Sequence, residues 1–81
     1  MLDAEVFPNP SSKHFSLRIF SEDQSACRLV IRDMTGREVE RLENIAPGET
    51  IEFGSSLSSG IYLADIMQGD QRKVLRIVKN R

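Results

Sequence analysis

The chain has no tryptophan, one cysteine, one histidine and one tyrosine among its 81 residues. Each shortage removes a class of function. A single cysteine forbids an internal disulfide and any multi-cysteine zinc site. No apolar run approaches the ~18–20 residues of a bilayer-spanning helix, so the chain reads as not membrane-spanning. Met1 to Pro10 lacks a basic stretch followed by an apolar one, so this stretch is not a signal peptide. The five glycines (Gly36, Gly48, Gly54, Gly60 and Gly69) stand singly, and none builds a phosphate-cradling loop. Helical spacing is missing too: no window carries a convincing apolar stripe at i, i+3, i+4, i+7.

Catalytic groups are equally thin. Nucleophilic catalysis needs a nucleophile, a base and an orienting group converging in a cleft. His14 precedes a strand-like run and reads as a solvated strand start. Cys27 opens another and reads as a small buried apolar residue. Of the carboxylates, Asp33 falls in a turn, Asp65 on a strand face beside arginines, and Asp70 in a hairpin loop. Glu22-Asp23 alone is too little for calcium. The sequence therefore reads as a non-enzyme with no metal and no cofactor.

What is present is β-structure. Phe15, Leu17 and Ile19 alternate with Ser16, Arg18 and Phe20, and Ile51 and Phe53 alternate with Thr50 and Glu52. Turn signals separate such runs at short intervals. Together they predict seven strands, near residues 3–7, 14–20, 26–33, 37–43, 49–54, 60–68 and 71–79. At this length they form one domain, an all-β, seven-stranded antiparallel Ig-like sandwich. The expected core is Phe15, Leu17, Ile19, Leu29, Ile31, Val39, Ile51, Phe53, Tyr62, Ala64, Ile66, Leu75 and Ile77.

The turns can be typed and then used to set register. Asp33-Met34-Thr35-Gly36 has Asp first and Gly fourth, a type I turn closed by a left-handed residue. Ala46-Pro47-Gly48-Glu49 has the type II arrangement. Gly69-Asp70 reads as a two-residue hairpin loop. A loop of residues 34–36 would set Asp33 opposite Arg37, Arg32 opposite Glu38 and Ile31 opposite Val39. The Gly69-Asp70 loop would set Ile66 opposite Lys73, Ala64 opposite Leu75 and Tyr62 opposite Ile77. Ile61, Leu63, Asp65, Met67, Arg72, Val74, Arg76 and Val78 then share the other face, unusually apolar for a solvent side. Either another segment, such as the N-terminal strand, covers that face or a partner does. Positive φ is expected at Gly36 and Gly60. Leu57-Ser58-Ser59-Gly60-Ile61-Tyr62 has the layout of a tyrosine corner, although a plain buried tyrosine fits the same signal.

Charge is lopsided. The last ten residues hold Arg72, Lys73, Arg76, Lys79 and Arg81 with no acid, while the first 71 carry 6 basic and 12 acidic groups, within a net −1. Five charges spread along a strand make a poor nucleic-acid signal, and a solvated strand end is the simpler reading. No nucleic-acid partner is expected.

Taken in order, the signals match something specific. Phe7-Pro8-Asn9-Pro10 opens the domain, Ile31 to Val39 forms a hairpin around Asp33 and Gly36, Gly60 and Tyr62 begin a late strand, and Lys73 to Lys79 closes it. This resembles the C-terminal sorting domain of cargo proteins of the type IX (Por) secretion system, over nearly the whole chain. The resemblance implies an Ig-like sandwich at the end of a large secreted protein. Such a domain acts as the export signal that carries its cargo through the periplasm and across the outer membrane, to the cell surface or the medium. The partners it implies are the outer-membrane secretion machinery, a sortase-like peptidase that removes the domain, and the upstream cargo in the same chain. On that reading residues 1–81 are a domain excised from a larger secreted protein. Carried onto this sequence, Pro8, Asn9, Pro10, Asp33, Gly36, Gly60 and Tyr62 are motif positions that mainly specify the fold. Lys73, Val74, Arg76, Val78 and Lys79 are the candidates for recognition by the translocon. The competing reading is an Ig-like adhesion or carbohydrate-binding module, disfavoured by the shortage of aromatics.

Overall fold

The computed structural model describes residues 1–80, so the last position of the basic tail, Arg81, lies outside the described residues. Seven strands follow one another: β1 (Asp3–Phe7), β2 (Phe15–Phe20), β3 (Cys27–Asp33), β4 (Glu38–Ile45), β5 (Thr50–Phe53), β6 (Gly60–Gln68) and β7 (Gln71–Lys79). They build two antiparallel sheets, ordered β1-β2-β5 and β4-β3-β6-β7, the two-layer arrangement of an Ig-like sandwich.

The core lies where alternation puts it. Phe15, Leu17 and Ile19 from β2 meet Leu29, Ile31, Ala64, Ile66 and Ile77 from the facing sheet, all fully buried. The Phe15 and Phe53 rings stack with centroids 5.4 Å apart. Leu2, Ala4, Cys27 and Ile45 join this core although the alternation argument did not include them. Ile51 and Leu75 pack against it but stay half-buried.

Val39 is the one expected core residue that turns out exposed. Arg32 does pair with Glu38, but Ile31 then pairs with Glu40, because the register shifts between Ile31 and Arg32. A bulge inserts one residue on β4 and so moves Val39 off the core side. Loop length alone could not reveal that insertion. The β6–β7 hairpin has no such shift. Tyr62 faces Ile77, Ala64 faces Leu75 and Ile66 faces Lys73, as the two-residue loop requires.

The turns carry the expected chemistry. Gly36 has φ 89° and donates to the Asp33 carbonyl at 3.0 Å. The Asp33 carboxylate accepts from the Thr35 hydroxyl and from the Thr35 and Arg37 amides at 2.6–3.0 Å. Tyr62 donates its hydroxyl to the Ser58 carbonyl at 2.7 Å, which makes it a tyrosine corner rather than merely a buried ring. Gly60, at φ 159°, has the positive φ expected of it.

The most crowded glycine is Gly54. It has φ 83°, and a Cβ there would lie 2.9 Å from a Phe15 ring carbon. Gly54→Ala should therefore cost more than Gly36→Ala, which adds only backbone strain in open space. A loss on the order of 1–3 kcal/mol is expected for the former, read by urea denaturation of both variants side by side.

Candidate functional site

The closing hairpin divides its side chains cleanly. On β7, Ile77 points into the core, while Val74, Arg76 and Val78 point outward beside Ile61 and Leu63 of β6. Val74 is 44% exposed and Ile61 38%. The N-terminal strand does not cover this face, because β1 pairs with β2 in the other sheet.

The centre of the same outer face is not open. Val30 and Asp65, adjacent on β3 and β6, are almost fully buried there. Arg32 reaches one Asp65 oxygen at 2.8 Å, and Arg72 chelates the carboxylate through Nε and Nη2 at 2.9 and 2.8 Å. Both arginine side chains remain partly exposed while the carboxylate they hold is almost fully buried. Burial pushes the Asp65 carboxyl up, but the hydrogen bonds and charges of Arg72 and Arg32 outweigh it, so its pKa lies below the usual aspartate value. On β4, Arg41 is held between Glu38 and Glu43.

This geometry redistributes the basic tail. Arg72 is committed to Asp65, and Lys73 turns inward to Asp3 at 3.4 Å, tying β7 to β1. Lys79, 5% exposed, donates its ammonium to the Gly54 and Ser55 carbonyls. Lys73 and Lys79 thus join the two sheets and do not stand on the outer face with Val74, Arg76 and Val78. Of the basic tail residues described, Arg76 is the one whose side chain has no hydrogen-bond or ion-pair partner among the described residues.

The opening motif, nearly seventy residues away in sequence, lies against the same strand. Asn9 donates to the Arg76 carbonyl and accepts from the Val78 amide, both at 3.0 Å. Ser11 donates its amide to the Val78 carbonyl at 3.1 Å, and its carbonyl accepts from the Asn80 amide at 2.7 Å, forming a parallel bridge with Lys79. Pro8 and Pro10 lack amide hydrogens, so the asparagine side chain supplies the donor and acceptor that an ordinary strand backbone would. Ser11 was not singled out from sequence. Nor was Gln68, buried at the end of β6, which receives the Ser21 hydroxyl and donates to the Asp23 and Ser25 carbonyls.

His14 and Cys27 take no part in a common site. His14 faces Glu52 at 3.4 Å at the surface. Cys27 is buried, and burial raises its thiol pKa, the opposite of an activated nucleophile. The hollow of about 230 Å³ beside Cys27 is lined by Arg28, Glu43 and Asn44 but by no histidine. Among the described residues no three His, Cys, Asp or Glu side chains cluster to hold a metal.

An Ig-like sandwich that leaves Val74 and Ile61 exposed on the outer face of its closing hairpin, beside Arg76, presents a surface suited to recognition. Residues 5–80 match the family described as the secretion system C-terminal sorting domain, and the chain belongs to that family, the sorting signals of type IX secretion. Membership carries export from the cell as the domain's role. No curated protein matches the chain.

Proposed function

We propose that this domain is read by the outer-membrane secretion machinery through the outer face of its closing hairpin, with Val74, Arg76 and Val78 as the contacts and Ile61 and Leu63 beside them. The observation that carries the reading is that Val74 and Ile61 stand exposed on the outer face of this hairpin, next to the Arg76 guanidinium, which has no partner among the described residues. Pro8, Asn9, Pro10, Asp33, Gly36, Gly60, Tyr62, Lys73 and Lys79 serve the fold that presents this face. The domain is the tail of a larger secreted cargo protein and is removed by a sortase-like peptidase, as substrate rather than catalyst. Cargo so marked ends at the cell surface or in the medium.

The alternative of a sugar-binding module lacks an aromatic platform. Phe7 and Phe20 are exposed, but they stand at opposite ends of the β1–β2 ladder, and Tyr62 is buried. The test is a reporter carrying a signal peptide and this domain at its C-terminus, expressed in a host with type IX machinery. The intact fusion should appear outside the cell, and deletion of Lys73 to Arg81 should hold it in the periplasm. A folded, stable intact fusion that stays in the periplasm overturns the reading.

A further inference from the structure

β7 is the edge of the four-stranded sheet and one of its two longest strands, and only half of its edge is occupied. In the β6–β7 ladder the odd-numbered residues of β7 pair toward β6, as the Gln68–Gln71 pair closing a two-residue loop requires. The backbone groups of the even-numbered residues therefore face outward along the edge. The hydrogen bonds of Asn9 and Ser11 agree with this, since they reach Arg76, Val78 and Asn80 and none of the odd residues. That leaves the amides of Arg72, Val74 and Arg76 and the carbonyls of Arg72 and Val74 without a backbone partner among the described residues.

The other edges are less suited to pairing. β4 is broken by two register shifts and fenced by the Glu38–Arg41–Glu43 ion pairs. β5 has 4 residues and β1 has 5. These are the usual protections of an edge strand. The open half of β7 has neither a register shift nor a short length, and its neighbouring upper half already holds the chain's own Ser11 in a parallel bridge.

We propose that the open half of β7, Arg72 to Arg76, receives an extended segment of a partner polypeptide as an additional β-strand, one whose outward-facing positions, two residues apart, carry acidic and aliphatic residues in turn. The inference rests on the reading that the closing hairpin is what the machinery reads, and it adds how the hairpin is read. Backbone hydrogen bonds supply the attachment, and side chains on the outer side supply the choice. There the added strand meets the exposed Val74 and the guanidinium groups of Arg72 and Arg76. Aliphatic residues suit the first, and carboxylates suit the unpaired Arg76 in particular. Asn9 and Ser11 mark where the added strand must stop.

Val74→Pro tests this directly. It removes an edge-facing amide and leaves every β6–β7 ladder donor in place, whereas Leu75→Pro removes a ladder donor and should unfold the hairpin. In the reporter assay the Val74→Pro domain, with a melting temperature near that of the parent, should lose secretion by about tenfold or more. In parallel, a capped heptapeptide with glutamate, valine and glutamate at its second, fourth and sixth positions and threonine between them, titrated into the domain at millimolar concentration, should shift the NMR amide signals of Arg72, Val74 and Arg76. Its alternately N-methylated counterpart should not. Should the parent fusion itself stay unexported, the sorting reading fails first. If the parent is exported and Val74→Pro is exported equally well, only the added-strand inference is overturned. Absent amide shifts, or equal shifts with the N-methylated peptide, overturn it as well. So does sedimentation of the free chain as a dimer with those amides protected, which would make a second copy the occupant.

Discussion

Replacing Ile77 by alanine should lower the free energy of unfolding by about 2–5 kcal/mol, because a fully buried side chain leaves a cavity that the surrounding sheet cannot collapse into. Leu75→Ala should cost less, since Leu75 is only half-buried. Val74→Ser combined with Val78→Ser should cost least of the three, as both side chains already stand on the outer face. Export should order the variants differently. If the outer face is the surface read, the double serine variant stays folded yet loses secretion, while a destabilised Ile77→Ala domain loses secretion only as far as it unfolds. Arg76→Glu separates charge from apolar contact, because it reverses the one cation of the described tail that has no partner among the described residues and slows encounter with an acidic surface. Melting temperature and secreted fraction, measured together across the set, decide the matter. Secretion that tracks melting temperature in every variant overturns the outer face as a docking site.

The closing hairpin was legible in sequence because a two-residue loop leaves no freedom of register. Once Gly69 and Asp70 occupy it, Tyr62 must face Ile77, and the inner and outer sets follow by alternation. The Asp33–Gly36 turn was legible for its own hydrogen bonds and failed one step beyond them. A bulge costs the sequence no recognisable signal, so Val39 looked like a core residue and stands outside. Lys73 and Lys79 looked like recognition charges for a similar reason. Alternation puts both on the inner side, yet only the packed sheets show what they find there, Asp3 in one case and the Gly54 and Ser55 carbonyls in the other. The attachment of Asn9 to β7 spans nearly the whole chain and has no local signature at all. One consequence is that the opening motif and the closing strand, which look like separate signals in the sequence, form a single structural unit. A change at Asn9 should therefore disturb β7 before it disturbs any other strand.

The largest electrostatic effect should come from Asp65. Its side chain is 3% exposed, and Arg32 and Arg72 satisfy it. Changing both arginines to methionine keeps unbranched apolar side chains at both positions and removes the charges. That leaves a buried carboxylate without compensation, for which a loss on the order of 3–5 kcal/mol is expected near neutral pH. The pH dependence should also change sign. In the parent the Asp65 pKa is depressed below the unfolded value of 3.8, so its contribution is complete above that value and is lost as pH falls through the lower, folded pKa. In the methionine variant burial acts unopposed and raises the folded pKa, so the folded state binds the proton more readily than the unfolded one. Its stability should then increase as pH falls from neutral toward about 4, over a range where Asp65 contributes no such rise in the parent. Adding Asp65→Leu to the methionine pair should restore most of the stability, because an apolar trio replaces the ion cluster without an unpaired group. Urea denaturation of the parent, the methionine pair and the triple variant at neutral and mildly acidic pH reads all of this. Equal pH slopes for the parent and the methionine pair would mean that water reaches Asp65 once the guanidinium groups are gone.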